Sequence, residues 1–142
     1  MSRAMRPGVV TVIVPLVVAG LVACGEEEIA DLTYTTVKPA VVSGDAAAFD
    51  GFKGKKVRWT GTVTESTVRH GEEYAEEGHL YVDVDSAAGG DPFPDVTMEV
   101  SPDQARSLSA GQTVTFVAVL LEPARGEAHP MVRANLREIE TN

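Results

Sequence analysis

The chain holds one cysteine, Cys24, and its chemistry is the most definite in the sequence. A thiol with no second cysteine forms no intramolecular disulfide, so its use must lie elsewhere. Leu21, Val22 and Ala23 place aliphatic and small residues directly before it. That arrangement suits peptidase cleavage and exposes a new amino-terminal cysteine for acylation. The other reactive types are scattered. His70, His79 and His129 show no short metal-ligand spacing. Asp83 and Asp85, followed by Asp91, begin like a calcium loop, which takes ligands at alternate positions, then a glycine and a closing Glu. Ala87 and Ala88 stand where the third ligand and the glycine belong, and Pro94 stands where the Glu belongs. The motif fails and no metal ligand is assigned. A looser acidic set, with Glu72, Glu73, Glu76 and Glu77 added, leaves a calcium-responsive module as the alternative reading. Nucleophilic catalysis needs an activated Ser or Cys beside a base. No G-x-S-x-G, G-x-G-x-x-G or P-loop run occurs. The expectation is a protein that is not an enzyme, with no catalytic residue and no cofactor. A hydrolase of envelope polymers, needing paired carboxylates in one cleft, is the weaker alternative.

The segment before Cys24 explains its setting. Arg3 and Arg6 precede an apolar run from Val9 to Val22. Fourteen residues interrupted by Pro15 and Gly20 fall short of the roughly 20 that a membrane-spanning helix needs. A basic start, an apolar middle and a small-residue cleavage site make a secretory signal. The Leu-Val-Ala-Cys box resembles the bacterial lipoprotein consensus. That resemblance implies cleavage before Cys24, and two or three acyl chains, palmitate among them. It also implies residence on the extracytoplasmic face of the bacterial cell envelope. One acyl chain alone holds a membrane only marginally. The expected division is a signal peptide at 1–23, an acylated cysteine and flexible tether at 24–38, and one domain at 39–142.

Charge narrows the partners. Loss of residues 1–23, which carry two Arg and no acid, takes the formal charge from −9 to −11. An acidic domain repels phosphate backbones and anionic headgroups. Nucleic acid is therefore not an expected partner, and the lipid on Cys24 must hold the membrane. Glu26, Glu27 and Glu28 read as a solvated spacer.

The remaining residues spell out the elements that would position a site. Asp45 can cap a short helix over Ala46 to Phe52, ended by Gly51 and Gly54. Val57 to Thr64 alternates as a half-buried strand, with Trp59 on the inward parity. Glu65 to Gly78 is polar and reads as a long loop or hairpin tip. His79 to Asp85 and Asp95 to Val100 are strands. Ser101-Pro102-Asp103-Gln104 is a capping box with Pro at the first helical position, predicting a helix from Pro102 to about Ser109 and a stop at Gly111. Gln112 to Glu122 is apolar on both faces, as a strand buried on both sides would be. Met131 to Ile139 is the last strand. The order predicts an all-β domain with one or two short helices, a five-stranded OB-fold-like barrel with its helix between the third and fourth strands.

Two runs carry a family likeness. Phe52-Lys53-Gly54-Lys55-Lys56-Val57-Arg58-Trp59-Thr60-Gly61-Thr62-Val63 resembles the opening strand of the tRNA-anti-like group of bacterial OB-fold envelope proteins. Ala110-Gly111-Gln112-Thr113-Val114-Thr115-Phe116 is similar to that group's entry to the fourth strand. The likeness covers about Phe49 to Ile139 and implies fold and location, with no catalytic residues to carry over. OB barrels bind across the second and third strands and the loops joining strands one to two and four to five. Parity then nominates Tyr81, Asp83, Thr97 and Glu99, and the loops add Arg69, His70, Tyr74, Arg125 and His129. The expected role is a membrane-anchored binding module for another envelope protein or a small ligand. Replacing Cys24 by Ala should move the protein from the membrane to the soluble fraction, and unchanged partition on fractionation contradicts the anchor.

Overall fold

The computed structural model describes residues 28–86, 89–124 and 129–142. The signal, Cys24, residues 24–27 of the expected tether and Arg125 lie outside them. Strand β1 (Lys56–His70) is followed by a 3-10 turn at Glu72–Tyr74, then β2 (Glu76–Asp83) and β3 (Val96–Val100). Helices α1 (Tyr34–Ser43) and α2 (Ala46–Phe49) precede β1, and α3 (Pro102–Ser107) leads to β4 (Thr113–Pro123) and β5 (Val132–Thr141). The strands close into a barrel in the order β1-β2-β3-β5-β4. All pairings are antiparallel except β3 with β5. This is the all-β, OB-like arrangement that the element order predicts.

Alternation fills the interior. Val114, Phe116, Ala118 and Leu120 of β4 face inward with Val57 and Trp59 of β1, Leu80 and Val82 of β2, and Val96 and Met98 of β3. Burying each large apolar side chain contributes roughly 1.5–3 kcal/mol. Trp59 lies in this core, edge-on to Phe116 and Tyr34, and its indole N–H donates to the Leu32 carbonyl at 2.7 Å. Val117 and Val119, on the other parity of β4, are buried too.

The caps follow the sequence closely. Ala47 N donates to the Asp45 carboxylate at 2.9 Å. Gln104 N donates to Ser101 Oγ, and Ser101 N donates to Gln104 Oε1, each at 3.1 Å. Both helices are shorter than expected, ending at Phe49 and Ser107. Leu108 is already extended, so Gly111, at φ +94°, serves the turn into β4 instead of the helix end.

Two expectations change. Residues 34–38, read as tether, are the first half of α1. Tyr34, Val37, Ala40 and Val41 recur at helical spacing and are buried in the barrel's core cluster, which overrides Pro39 within the helix. The polar stretch after Glu65 is not a long loop. It pairs residue by residue with β2, from Glu65 opposite Tyr81 to His70 opposite Glu76. Backbone hydrogen bonds, not apolar side chains, extend this ribbon, and the loop shrinks to residues 71–75.

Gly61 permits β1 to change partners. Residues up to Thr62 pair with β4 and those from Thr62 onward with β2. A Cβ at Gly61 would stand 2.5 Å from the Asp83 carbonyl oxygen and 2.7 Å from Val82 Cγ1. The bulge itself falls two to three residues later, between Val63 and Glu65. Gly61→Ala should lower stability in urea by about 1–3 kcal/mol through this overpacking, and an unchanged midpoint would show that β2 does not press so closely on β1.

Candidate functional site: an outer groove and a buried carboxylate cluster

Side chains on the outer parity of β2, β3 and β5 converge because the register puts them in one row. His79 lies opposite Glu99, Tyr81 opposite Thr97, Thr97 opposite Arg133 and Glu99 opposite Asn135. Together with Arg69 from the ribbon they line a groove of about 400 Å³. Its floor includes Met98, Leu121 and Ala134. Arg69 Nη2 donates to the Tyr81 hydroxyl at 3.1 Å. The Arg133 guanidinium pairs with Glu122 at 2.5 Å, and His79 Nε2 lies 3.5 Å from Glu77. Two guanidinium groups thus stand over a half-apolar floor, with Glu99 as the carboxylate among the lining residues.

Four of the nine nominated residues meet here: Arg69, Tyr81, Thr97 and Glu99. Tyr81 is outward by parity yet only 6 % exposed. His70 ends β1 beside the hairpin tip and does not line the groove. Tyr74 is in the 3-10 turn. His129 stacks on Phe93 at 3.8 Å, away from the groove, against the β2–β3 loop. Arg133 and Asn135 were not nominated. The parallel pairing of β3 with β5, which an OB topology entails, is the signal that would have found them.

Asp83 leaves the outer face altogether. It joins Asp85 and Asp95 in a buried cluster whose nearest carboxylate oxygens all lie within 4.8 Å of one another. Asp95 precedes β3, and its Oδ2 accepts the amides of Val84 at 2.8 Å and Asp85 at 3.0 Å. Asp83 Oδ1 accepts the Ser86 amide, and Asp85 Oδ2 takes Lys38 Nζ from α1. The Tyr34 hydroxyl, also from α1, lies against Asp95. Burial pushes the Asp95 carboxyl up to about 7; the two amides pull the other way, and neighbouring Asp85 raises it further. Burial and the surrounding Asp95, Asp85 and Asp91 also raise the Tyr34 phenol well above its usual range, and the Asp85 hydrogen bond raises Lys38. Of the set expected for calcium, Asp83 and Asp85 come together. Glu72 to Glu77 sit at the far end of β2 from Asp83, about 20 Å away at the strand rise of ~3.3 Å per residue. Asp91 accepts the Phe93 amide and stands near enough to Tyr34 and Lys38 to raise both. The converging carboxylates that a hydrolase would need do exist under α1, where Asp85 lines an opening with Tyr34, Arg58 and Trp59 and Asp95 lines another with Lys38 and His129.

No protein-family profile matches the chain. No curated protein matches it either. Among solved structures it is similar to a proposed nucleic acid-binding lipoprotein from Klebsiella pneumoniae subsp. pneumoniae, with a TM-score of 0.54 and 13 % identity over 87 % of this chain and 96 % of that one. At that identity the likeness establishes the fold. No helix among the described residues is long and apolar enough to cross a membrane.

The raised Asp95 carboxyl sets a direction for pH dependence. An unfolded Asp titrates near 3.9, so between about pH 4 and 7 the folded chain keeps a proton that the unfolded chain has lost. That contribution is full below about pH 4 and disappears as pH rises through 7. With divalent cations chelated, wild type should lose stability from pH 5 to 8, while Asp95→Asn should lose less. Parallel curves in urea titrations at several pH values would contradict this.

Proposed function

We propose that the chain is a non-enzymatic binding module, anchored through acylated Cys24 on the extracytoplasmic face of the bacterial envelope. Its groove over β2, β3 and β5 takes a small ligand bearing an anionic group. The observation that carries this reading is the concave row of Arg69, Tyr81, Thr97, Arg133 and Asn135. Its volume lies within the range of small-ligand sites. Arg69 and Arg133 supply charge-assisted donors, and Met98 with Leu121 supplies an apolar floor. Among the described residues that line it there is no Ser or Cys. The lipid anchor is supported by the signal and box around Cys24 and by the lipoprotein of the same fold. Membership of the tRNA-anti-like group rests on the Phe52–Val63 and Ala110–Phe116 runs.

The nucleic-acid binding ascribed to the Klebsiella protein does not suit this chain. Single-strand binders use a positive groove with stacked aromatics. Here the net charge is −9, and among the described lining residues the groove offers the His79 imidazole and Tyr81, the latter mostly covered.

Native mass spectrometry of the full chain purified from cells should show a bound small mass. Arg69→Ala and Arg133→Ala should each weaken its retention by about tenfold or more, the scale of a lost hydrogen bond to a charged group. A photo-crosslinker at Thr97 that captures an envelope protein in living cells would overturn the small-ligand reading. Retardation of single-stranded DNA at physiological salt would overturn the exclusion of nucleic acid.

A further inference from the structure

We propose that Asp83, Asp85 and Asp95 form a divalent-cation site for a hard ion of calcium's size, separate from the groove. Three oxygens no more than 4.8 Å apart have a common centre within about 2.8 Å of each, which admits the 2.3–2.6 Å of calcium–oxygen bonds, whereas magnesium keeps several waters and is seldom held by a set of three carboxylates. The donors are all carboxylate oxygens, with no His or Cys among them, which selects hard cations over zinc or copper.

Acidic residues near one another are common at surfaces, but these are not at the surface. Asp83, Asp85 and Asp95 are 7 %, 5 % and 3 % exposed. The decisive atom is Asp85 Oδ1, which is buried and has no hydrogen-bond partner among the described residues. A buried acceptor without a donor is costly, and a native structure normally supplies a partner. The neighbouring donors among the described residues are already used, the Tyr34 hydroxyl lying against Asp95. The Ser86 amide is on Asp83 Oδ1, the Val84 and Asp85 amides are on Asp95 Oδ2, and Lys38 is on Asp85 Oδ2. One oxygen each of Asp83 and Asp95, and both oxygens of Asp85, are left without a backbone donor among the described residues. With the Asp95 proton displaced, three carboxylates and one ammonium would carry a formal −2, which one divalent ion neutralises.

The backbone is fitted to this arrangement. Gly90 packs on the Asp85 carboxylate so closely that a Cβ there would lie 2.3–2.5 Å from its three atoms. Gly89, at φ +91°, turns the loop back. The motif test on sequence fails because it looks for a contiguous loop. The third carboxylate comes from Asp95, one residue past Pro94, where the chain re-enters the sheet.

The test uses the full chain, stripped with chelator, and two probes: terbium chloride and calcium chloride. Tyr34 lies against Asp95, so bound terbium should show tyrosine-sensitised luminescence that calcium reverses. Millimolar calcium should raise the melting temperature by about 4 °C or more, and magnesium by less. Asp83→Asn and Asp85→Asn should each weaken binding at least about tenfold, while Glu76→Gln on the distant hairpin should leave it unchanged. Neither luminescence nor a melting shift in folded wild-type protein overturns the proposal. So does binding that survives both Asp→Asn substitutions, since the ion would then lie elsewhere.

Discussion

A carboxylate cut off from water must find donors within the protein, and Asp95 ties together the parts that supply them. Its side chain holds the Val84 and Asp85 amides at the end of β2 and meets Tyr34 of α1. Its backbone is bound as well: Asp95 N donates to the Val82 carbonyl, and Val132 N donates to the Asp95 carbonyl. One residue therefore joins β2, the entry to β3, the start of β5 and the amino-terminal helix. Through Lys38 and Asp85 the helix gains a second attachment to the same place. The path of the β2–β3 connection and the seat of α1 both depend on this burial.

Barrel closure accounts for the groove. β5 completes the barrel by running parallel to β3, and that pairing lines up Arg133 and Asn135 with Thr97 and Glu99. The same closure packs the inner parities of all five strands against one another. The outer groove and the apolar interior are two faces of one register, and a one-residue slip would exchange them. The Arg69 side chain reaches the groove only because β1 continues past the barrel as a ribbon.

Much of this was legible in the residues, and the misses have physical causes. The Ser101–Gln104 box, the Asp45 cap, the inward Trp59 and the doubly buried β4 each announce themselves locally, through spacing of three or alternation of two. The ribbon over Glu65–His70 has no apolar pattern because it is held by backbone pairing, to which side-chain hydropathy is blind. The helix from Tyr34 was hidden by Pro39 and by the neighbouring acidic run, although Tyr34, Val37, Ala40 and Val41 recur on one face. Asp83 was assigned outward by parity, which holds along the strand but says nothing about the loop that folds over its end. Arg69, Tyr81, Thr97 and Glu99 of the groove row were found, while Arg133 and Asn135 were missed because β5 contributes only once its neighbour is known.

The ribbon leaves a further mark on the molecule. From Glu65 to His70 the side of β1 that earlier paired with β4 pairs with no strand among the described residues, and Ser66 Oγ there donates to the Ala105 carbonyl of α3. Unpaired peptide groups along a strand edge are a template on which another copy could stack. Glu65 on that rim, with Glu76 and Glu77 on the strand across from it, puts carboxylates where such stacking would have to begin. A strand laid alongside would have to strip water from those groups, so the hairpin can be long without offering a flat apolar edge.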